Sequence, residues 1–494
     1  VRPRERLRPG TARRAAPALA LALALALSLP PLACQSPPAS VVLPDRGAGA
    51  PDLRSAAPEA SMSWPARWHV SRGFVRDAQG RALIMRGVNV SNRHKQKPYF
   101  DFHQQADYER ARTSWGFNAV RFVLQWAAIE PSRGGYDDAY LDQLARRMDW
   151  TQKAGLLVVL DMHQDLYGHG FSGGNGAPAW ACDESLYRAH VPKVPWFANY
   201  ASPQVMACFD KFFTSDDLQQ RYAEAWRRVA RRLKGYAHIV GFDVMNEPHW
   251  GSYSIFDFER DRMQPLYHRV ITAVRAEAPG WVAFLEPSVG RGLGVRTSLQ
   301  PSAHTDLVYA PHSYDGNAEL GQGFSADNRQ FLISRIADFD REARKLSAAL
   351  WIGEYGGNPD HKGIFDYMDA QYDGAAAVAA STVYWHYGKG RGYELLDPDG
   401  EERKALLDVL VRPYPRRVAG DPISYHFDHQ SRRFTLTYTP LAAVTAATEI
   451  AVPARVYSAG YRVGCQGCSS TRISGGLRIT SPPGDRPATV TISP

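Results

Sequence analysis

Ile239-Val-Gly-Phe-Asp-Val-Met-Asn246-Glu247-Pro248 decides the fold. A mostly apolar run leads into a polar Asn-Glu-Pro, which is the composition of a buried strand rather than a helix. Pro248 cannot donate to a ladder, so the strand stops there and leaves Glu247 at its carboxyl end. Seven further runs of this kind occupy 82–89, 119–124, 156–162, 281–286, 307–312, 349–354 and 381–386. Between most of them, 107–115, 140–154, 218–233, 264–278 and 330–345 carry apolar residues at the three-to-four spacing of a helix. Strand and helix alternating eight times predict an α/β fold, a (β/α)8 TIM barrel, whose strand carboxyl ends carry the chemistry.

Those ends offer Asn89, Arg121, His163 with Asp165, Asn246 with Glu247, Glu286, His312 with Tyr314, Glu354 and Trp385. Glu354 closes a second short apolar run, Ala349-Leu-Trp-Ile-Gly-Glu354, and glycines follow it. One glutamate at a strand end is ordinary surface chemistry. Two on converging ends supply the proton donor and the nucleophile or base of glycoside hydrolysis. A lone His163 reads as a structural hydrogen-bonder, but within a ring of polar strand ends it reads as part of a site. His163, Asp165 and His312 match no metal-ligand spacing, so neither a metal nor another cofactor is expected.

Two connections are long. Residues 168–206 hold Trp180, Trp196, Phe197 and Tyr200, and 249–258 read His-Trp-Gly-Ser-Tyr-Ser-Ile-Phe-Asp-Phe. Such residues beside a rim form a lipid- or sugar-binding surface, or pack on one another as a loop core; the sequence leaves both open. After Pro413-Tyr-Pro415, short alternating segments at 434–438, 449–452, 455–458, 477–480 and 489–492 are separated by Gly, Pro and Ser. They predict a small C-terminal β-sandwich with no catalytic constellation.

The chain of 494 residues is long enough for more than one domain. Its 12 Trp and 24 Tyr suit a protein that stacks on sugar rings or apolar tails, and equally a large aromatic core. The formal charge is +8, of which six arginines and one glutamate in 1–33 account for +5. No Lys/Arg stripe remains, so nucleic acid is not an expected partner. Arg2 to Arg14 form a basic segment and Ala15 to Leu29 an Ala/Leu-rich one, the pattern of an export leader and short for a membrane span. Leu32-Ala33-Cys34 resembles a lipoprotein cleavage site, with Pro31 where that motif has Leu. Cys34 would then be lipidated; ordinary signal cleavage with a free Cys34 is the alternative. Residues 35–62, rich in Pro, Ala, Gly and Ser, read as a tether. The expected organisation is a leader at 1–33, a linker at 34–62, a barrel at 63–415 and a sandwich at 416–494, in a cell-envelope lipoprotein or a secreted protein. Export would place Cys182, Cys208, Cys465 and Cys468 in an oxidising compartment, where Cys182–Cys208 and Cys465–Cys468 disulfides are expected. The rival is a zinc site, but only the second pair has Cys-x-x-Cys spacing and it lacks a partner pair.

Asp161-Met-His-Gln-Asp165, Met245-Asn-Glu-Pro248, Gly353-Glu-Tyr-Gly356, Tyr384-Trp385 and Arg412-Pro-Tyr-Pro-Arg-Arg-Val-Ala-Gly420 together resemble the endoglycoceramidases of glycoside hydrolase family 5. The resemblance runs from about Trp68 to the C-terminus. Asn-Glu-Pro marks only the wider family. The His-Gln-Asp segment, Asn175-Gly-Ala-Pro-Ala-Trp180 and Pro-Tyr-Pro are more specific. The resemblance implies a retaining enzyme that cuts the bond between oligosaccharide and ceramide in glycosphingolipids, at a membrane or micelle surface. It implies Glu247 as acid/base, Glu354 as nucleophile, and Lys95, His163, Asp165, Asn246, Tyr314 and Trp385 at the sugar. Arg121 and His312 are further strand-end candidates for substrate contact. The loop around Lys95 departs from the family pattern, so Lys97 is an alternative there. The aromatic loop after Glu247 and the Cys182/Cys208 pair depart too, which leaves glycan and lipid preference open. The alternatives are an exo-acting β-glucosylceramidase, a cellulase- or mannanase-type glycanase and, from another class, a lipid-anchored glycan-binding protein, which would have no use for two glutamates.

Overall fold

A computed structural model describes residues 67–494 apart from Asn92 and Asp485. The expected leader 1–33, Cys34 and the linker 34–62 lie outside the described residues. Three short strands open the described chain: β1 (His69–Ser71), β2 (Phe74–Arg76) and β3 (Ala82–Leu83). Eight parallel strands then close into a barrel: β4 (Arg86–Val90), β5 (Ala119–Leu124), β6 (Leu157–Met162), β7 (Ile239–Asp243), β8 (Val282–Leu285), β9 (Leu307–Tyr309), β10 (Ala349–Ile352) and β11 (Ser381–Tyr387). Closure is made by β11 pairing with β4. Every residue of β5 and β6 is buried, because one face lines the barrel and the other meets helices. Gly87 permits the close β4–β5 approach, since a Cβ there would lie 1.8 Å from the Ala119 carbonyl oxygen.

The helices between strands follow their end signals. Helix Asp138–Ala154 starts at Asp137, whose carboxylate accepts from Tyr140 N, and stops at Gly155 with φ +74°. Its Leu141, Leu144 and Met148 are buried against the barrel. Among the described residues, no helix is long and apolar enough to cross a membrane.

The apolar run 82–89, expected to be one barrel strand, is divided between two sheets. Ala82–Leu83 pairs outside the barrel, and β4 begins only at Arg86. Asn118 bridges the change, accepting from Arg86 N at 2.8 Å and donating to Ile84 O at 2.9 Å. The same opening segment closes the barrel floor. Trp68, Val75, Leu83 and Met85 pack with the interior residues Ala119, Val159, Phe284 and Trp351.

Beyond the barrel come β12 (Tyr414–Val418), β13 (Gly420–Asp428), β14 (Arg433–Pro440), β15 (Thr448–Ala451), β16 (Arg462–Gln466), β17 (Ser469–Ile473), β18 (Gly476–Thr480) and β19 (Ala488–Ser493). They form a seven-stranded sheet, β1-β2-β3-β12-β15-β18-β17, over a four-stranded sheet, β13-β14-β19-β16. Phe434, Leu436, Ile450, Leu477, Val490 and Ile492 fill the core of this antiparallel domain. The first strand of this domain, β12, begins at Tyr414, and the sheet also recruits β1–β3 from the start of the described chain. It is held to the barrel by Arg86 Nε donating to the Tyr425 hydroxyl at 3.2 Å and by the Tyr414 hydroxyl donating to Gly116 O at 3.0 Å. Cys182 is joined to Cys208 with a Cα–Cα distance of 5.6 Å, and Cys465 to Cys468 at 5.3 Å.

Candidate active site

The strand carboxyl ends gather the polar residues. At Glu247 the backbone has φ +40°, a left-handed conformation that costs a non-glycine residue roughly 1–2 kcal/mol. Hydrogen bonds hold it there. Glu286 Oε2 accepts from Glu247 N at 2.9 Å, and Gln164 Nε2 donates to the carbonyls of Asn246 and Glu247, both at 2.9 Å. The Glu247 carboxyl is 22% exposed, whereas Glu354 is only 6% exposed.

Arg121, fully buried on β5, organises the floor of the site. Nη1 donates to Glu354 Oε1 at 2.7 Å and to Asn89 at 3.1 Å. Nη2 meets Glu286 at 2.7 Å and Asn246 at 3.0 Å, and Asp161 and Asp243 lie 3.0 and 2.9 Å away. Four carboxylates thus face one guanidinium. Burial disfavours its charge, but those four neighbours hold its pKa well above the ordinary value. One guanidinium does not neutralise four carboxylates. Burial and the adjacent Glu286 push the Asp243 carboxyl far up, so Asp243 keeps a proton.

His312 links the two glutamates. Nδ1 lies 2.8 Å from Glu247 Oε1 and 3.6 Å from Glu354, while Nε2 lies 3.2 Å from Glu286. Burial opposes its charge, yet Glu286 and Glu354 raise its pKa well above the usual histidine range, so it is an imidazolium at neutral pH. Glu354 receives a second hydrogen bond from the Tyr314 hydroxyl, at 3.0 Å to Oε2. Burial raises the Glu354 pKa, and His312 and Arg121 work against that rise. Carboxyl oxygens of Glu247 and Glu354 approach within 4.8 Å of each other. That spacing suits direct attack by one carboxylate, since inversion through a water needs about 6.5–9.5 Å between carboxyl groups.

A second polar group lies beside the pair. Lys95 Nζ donates to Asp165 Oδ2 at 2.6 Å and sits 4.4 Å from the Trp385 ring centroid. His163 stacks on Trp385 with centroids 5.2 Å apart and is fixed by Asp161 at 2.8 Å. Burial would raise the Asp165 carboxyl, but Lys95 and His163 hold it well below the ordinary range. Lys97 is exposed and enters none of these contacts, so Lys95 is the lysine of this cluster.

Arg121 and His312, the further candidates for substrate contact, both pair with carboxylates: Arg121 is fully buried against Glu354 and Glu286, and His312 reaches Glu247 and Glu286. Asn246 also has both ends engaged, Oδ1 by Arg121 at 3.0 Å and Nδ2 by Gln164 O at 3.1 Å. The long loops are partly a packed loop core and partly exposed. Trp180 packs on Trp126 and donates to Glu130 O, and Tyr200 stacks on His249, while Val194, Trp196, Phe197 and Phe256 stay exposed.

Several members were not singled out from sequence. Asp161 and Asp243 are charged residues inside apolar strands, a signal that each must find a buried partner. Gln164 and Asn175 stand inside the quoted motifs, and Asn175 Nδ2 donates to Asp165 at 2.7 Å. Glu319, on the short helix Gly316–Glu319, accepts from the Tyr393 hydroxyl. Burial, with Glu247 and Asp315 as like charges, pushes its pKa to about 7.

Comparison with known proteins agrees with this arrangement. Residues 76–391 match the family described as cellulase (glycosyl hydrolase family 5), and 412–492 match the glycoside hydrolase family 5 C-terminal domain. Endoglycoceramidase I of Rhodococcus hoagii (strain 103S) is 30% identical over 442 residues, which cover 84% of this chain and 83% of that protein. The structure of endo-glycoceramidase II from Rhodococcus sp. with ganglioside GM3 superposes with a TM-score of 0.78 at 31% identity, covering 86% of this chain and 100% of that one. A glucosylceramidase of Rhizopus delemar (strain RA 99-880) is 26% identical, over only 37% of this chain and 35% of its own length.

Proposed function

The chain belongs to glycoside hydrolase family 5, and from that premise we propose that it is a retaining endoglycoceramidase, releasing the intact oligosaccharide from the ceramide of glycosphingolipids. The observation that carries the reading is the Glu247–Glu354 pair, within 4.8 Å, with Glu354 anchored by Arg121 and Tyr314. Glu354 attacks the anomeric carbon as a carboxylate. The bond to the ceramide oxygen breaks, and that oxygen takes the proton of Glu247, whose carboxyl is steadied by His312. Water then attacks the glycosyl-enzyme, gives its proton to Glu247, and frees the sugar and Glu354. While both glutamates are present as charges they repel, so forming the ester at Glu354 favours ionised Glu247 as the base of the second step. Lys95, Asp165 and Trp385 supply a charged pair and an aromatic face for sugar hydroxyls and a ring.

The substrate is met in a membrane or micelle, and we place the protein outside the cytoplasm, anchored through Cys34 or secreted. Mass analysis of the mature N-terminus tests the last point, since an unmodified Cys34 removes the anchor. The activity is tested by product analysis on a ganglioside and on glucosylceramide in mild detergent. Intact oligosaccharide plus ceramide is the expected result. Glucose from glucosylceramide with the ganglioside untouched would replace this reading with the exo-acting one, which the glucosylceramidase relative favours.

A further inference from the structure

Arg86 is the first residue of β4, and it is buried where the barrel meets the antiparallel domain. Its guanidinium is bonded to hydroxyls alone. Nη1 donates to Thr382 Oγ1 at 2.6 Å, and Nε and Nη2 both reach the Tyr425 hydroxyl. The group also lies over the Tyr372 ring, 4.4 Å from its centroid. Among the described residues no carboxylate comes within 4.0 Å of it. A guanidinium does not shed its proton on burial, so its charge calls for a counter-charge; ring faces and hydroxyl dipoles meet only part of that need.

The acids nearby are engaged elsewhere. Asp369 pairs with Arg412 at 2.9 Å and with Arg329 at 3.1 Å. Asp373 is bound to Arg329 and faces His426 at 3.6 Å. Glu402 accepts from Trp115 Nε1 at 2.7 Å and pairs with Arg455 at 3.0 Å, and Asp408 pairs with the same arginine at 2.7 Å. Cations crowd the same place. Arg412, just before β12, lies over the Tyr372 ring as Arg86 does, at 4.3 Å. Burial raises the Tyr414 pKa, and the charges that oppose this rise are Arg416, Arg112 and Arg86.

Between these groups lies a cavity of about 20 Å³, enough for one water-sized guest. Arg86, Arg412 and Asp373 face it, and Trp115, Phe117 and Phe427 supply aromatic carbon. Burial and the neighbouring Asp369 raise the pKa of Asp373, the one acid in the wall.

We propose that this cavity binds one small monovalent anion of the halide class, chloride in a biological medium, held between Arg86 and Arg412 as the counter-ion of Arg86. Phosphate and sulfate exceed the volume and would give up too much hydration to an aromatic lining. Arg86 and Thr382 stand at the amino ends of β4 and β11, away from the strand ends that carry the glutamate pair. The anion therefore ties the two domains together and takes no part in the reaction, so the inference is independent of the glycosidase reading.

The test follows thermal unfolding of the full chain at pH 7 as sodium gluconate, whose anion is too large for the cavity, is replaced stepwise by sodium chloride at constant ionic strength. The Tm should rise by about 2–4 °C and level off at saturation, and bromide should reproduce the rise. No rise, or a drift that never saturates, overturns the proposal. Arg86→Met should abolish the chloride dependence; a variant that folds and keeps it overturns the proposal too, because the anion would then sit elsewhere. Crystals of the parent soaked in sodium bromide give a reading that does not depend on the variant. An anomalous peak in the cavity against Arg86 is the expected result, and a cavity without one overturns the site.

Discussion

Tyr314→Phe removes one oxygen and asks what keeps the nucleophile ionised. Glu354 is buried, which raises its pKa, and it is held as a carboxylate by Arg121 at 2.7 Å and Tyr314 at 3.0 Å. A hydrogen bond to a charged group contributes about 1.5–3 kcal/mol. Taking about 2 kcal/mol from the ionised form corresponds to a ~30-fold change in the protonation equilibrium of Glu354. The sign is fixed: the variant's Glu354 binds its proton at higher pH. The acid limb of the kcat/KM–pH profile should move upward, with a ~30-fold loss on the acid side and recovery toward the parent at alkaline pH. Initial rates on an aryl β-glycoside, measured from acid to alkaline pH, provide the assay. A uniform loss with an unshifted limb would refute the reasoning, because Tyr314 would then act on substrate or packing. An unchanged profile would refute it as well.

Glu354→Gln should lower turnover by about 10⁴-fold or more, on the scale of other nucleophile deletions. It should also raise the melting temperature at pH 7. A buried acid whose folded pKa lies above its unfolded value costs stability once pH passes the unfolded value, so the gain should vanish near pH 4. A lower melting temperature at pH 7 would contradict this. Arg121→Met leaves Asp161, Asp243, Glu286 and Glu354 without their shared cation and should cost about 3–5 kcal/mol in urea unfolding; an unchanged midpoint would mean that the carboxyls protonate without penalty. Glu319, pushed to about 7 from 4.5, costs the fold progressively more as pH rises between those values. Glu319→Gln should remove that slope, up to about 3 kcal/mol, when urea midpoints at pH 5 and 7.5 are compared.

The barrel and its glutamate pair were legible because hydropathy marks each strand and a polar residue marks where it ends. Glu247, Glu286 and Glu354 all close apolar runs, and the resemblance to glycoside hydrolase family 5 is what separates the catalytic pair from Glu286. The split of 82–89 was not legible. The run is apolar throughout, and the residue that divides it, Asn118, comes from just before another strand. A two-residue strand such as Ala82–Leu83 is also too short for any period to show. The partners of Arg121 and His312 were not legible for a different reason. A charged strand-end residue points into the cleft or toward its neighbours, and only the carboxylates brought in by β6, β7, β8 and the end of β10 decide between the two. The loop aromatics divide in the same way: Tyr200 and Trp196 lie four residues apart, yet one is buried in stacking and the other exposed.

The pairing of β3 with β12, Leu83 with Arg417 and Ala82 with Val418, sets an order of events during synthesis. The opening segment leaves the ribosome early, but its sheet partner follows more than 300 residues later. At about 5–20 residues per second the wait is roughly 20–70 s. Throughout that time Trp68, Val75 and Leu83 cannot settle fully beneath the barrel while held by their final sheet. The nascent chain thus carries an unsealed apolar floor until its last domain emerges. Ribosome-bound intermediates stalled before Tyr414 should be the species that chaperones capture.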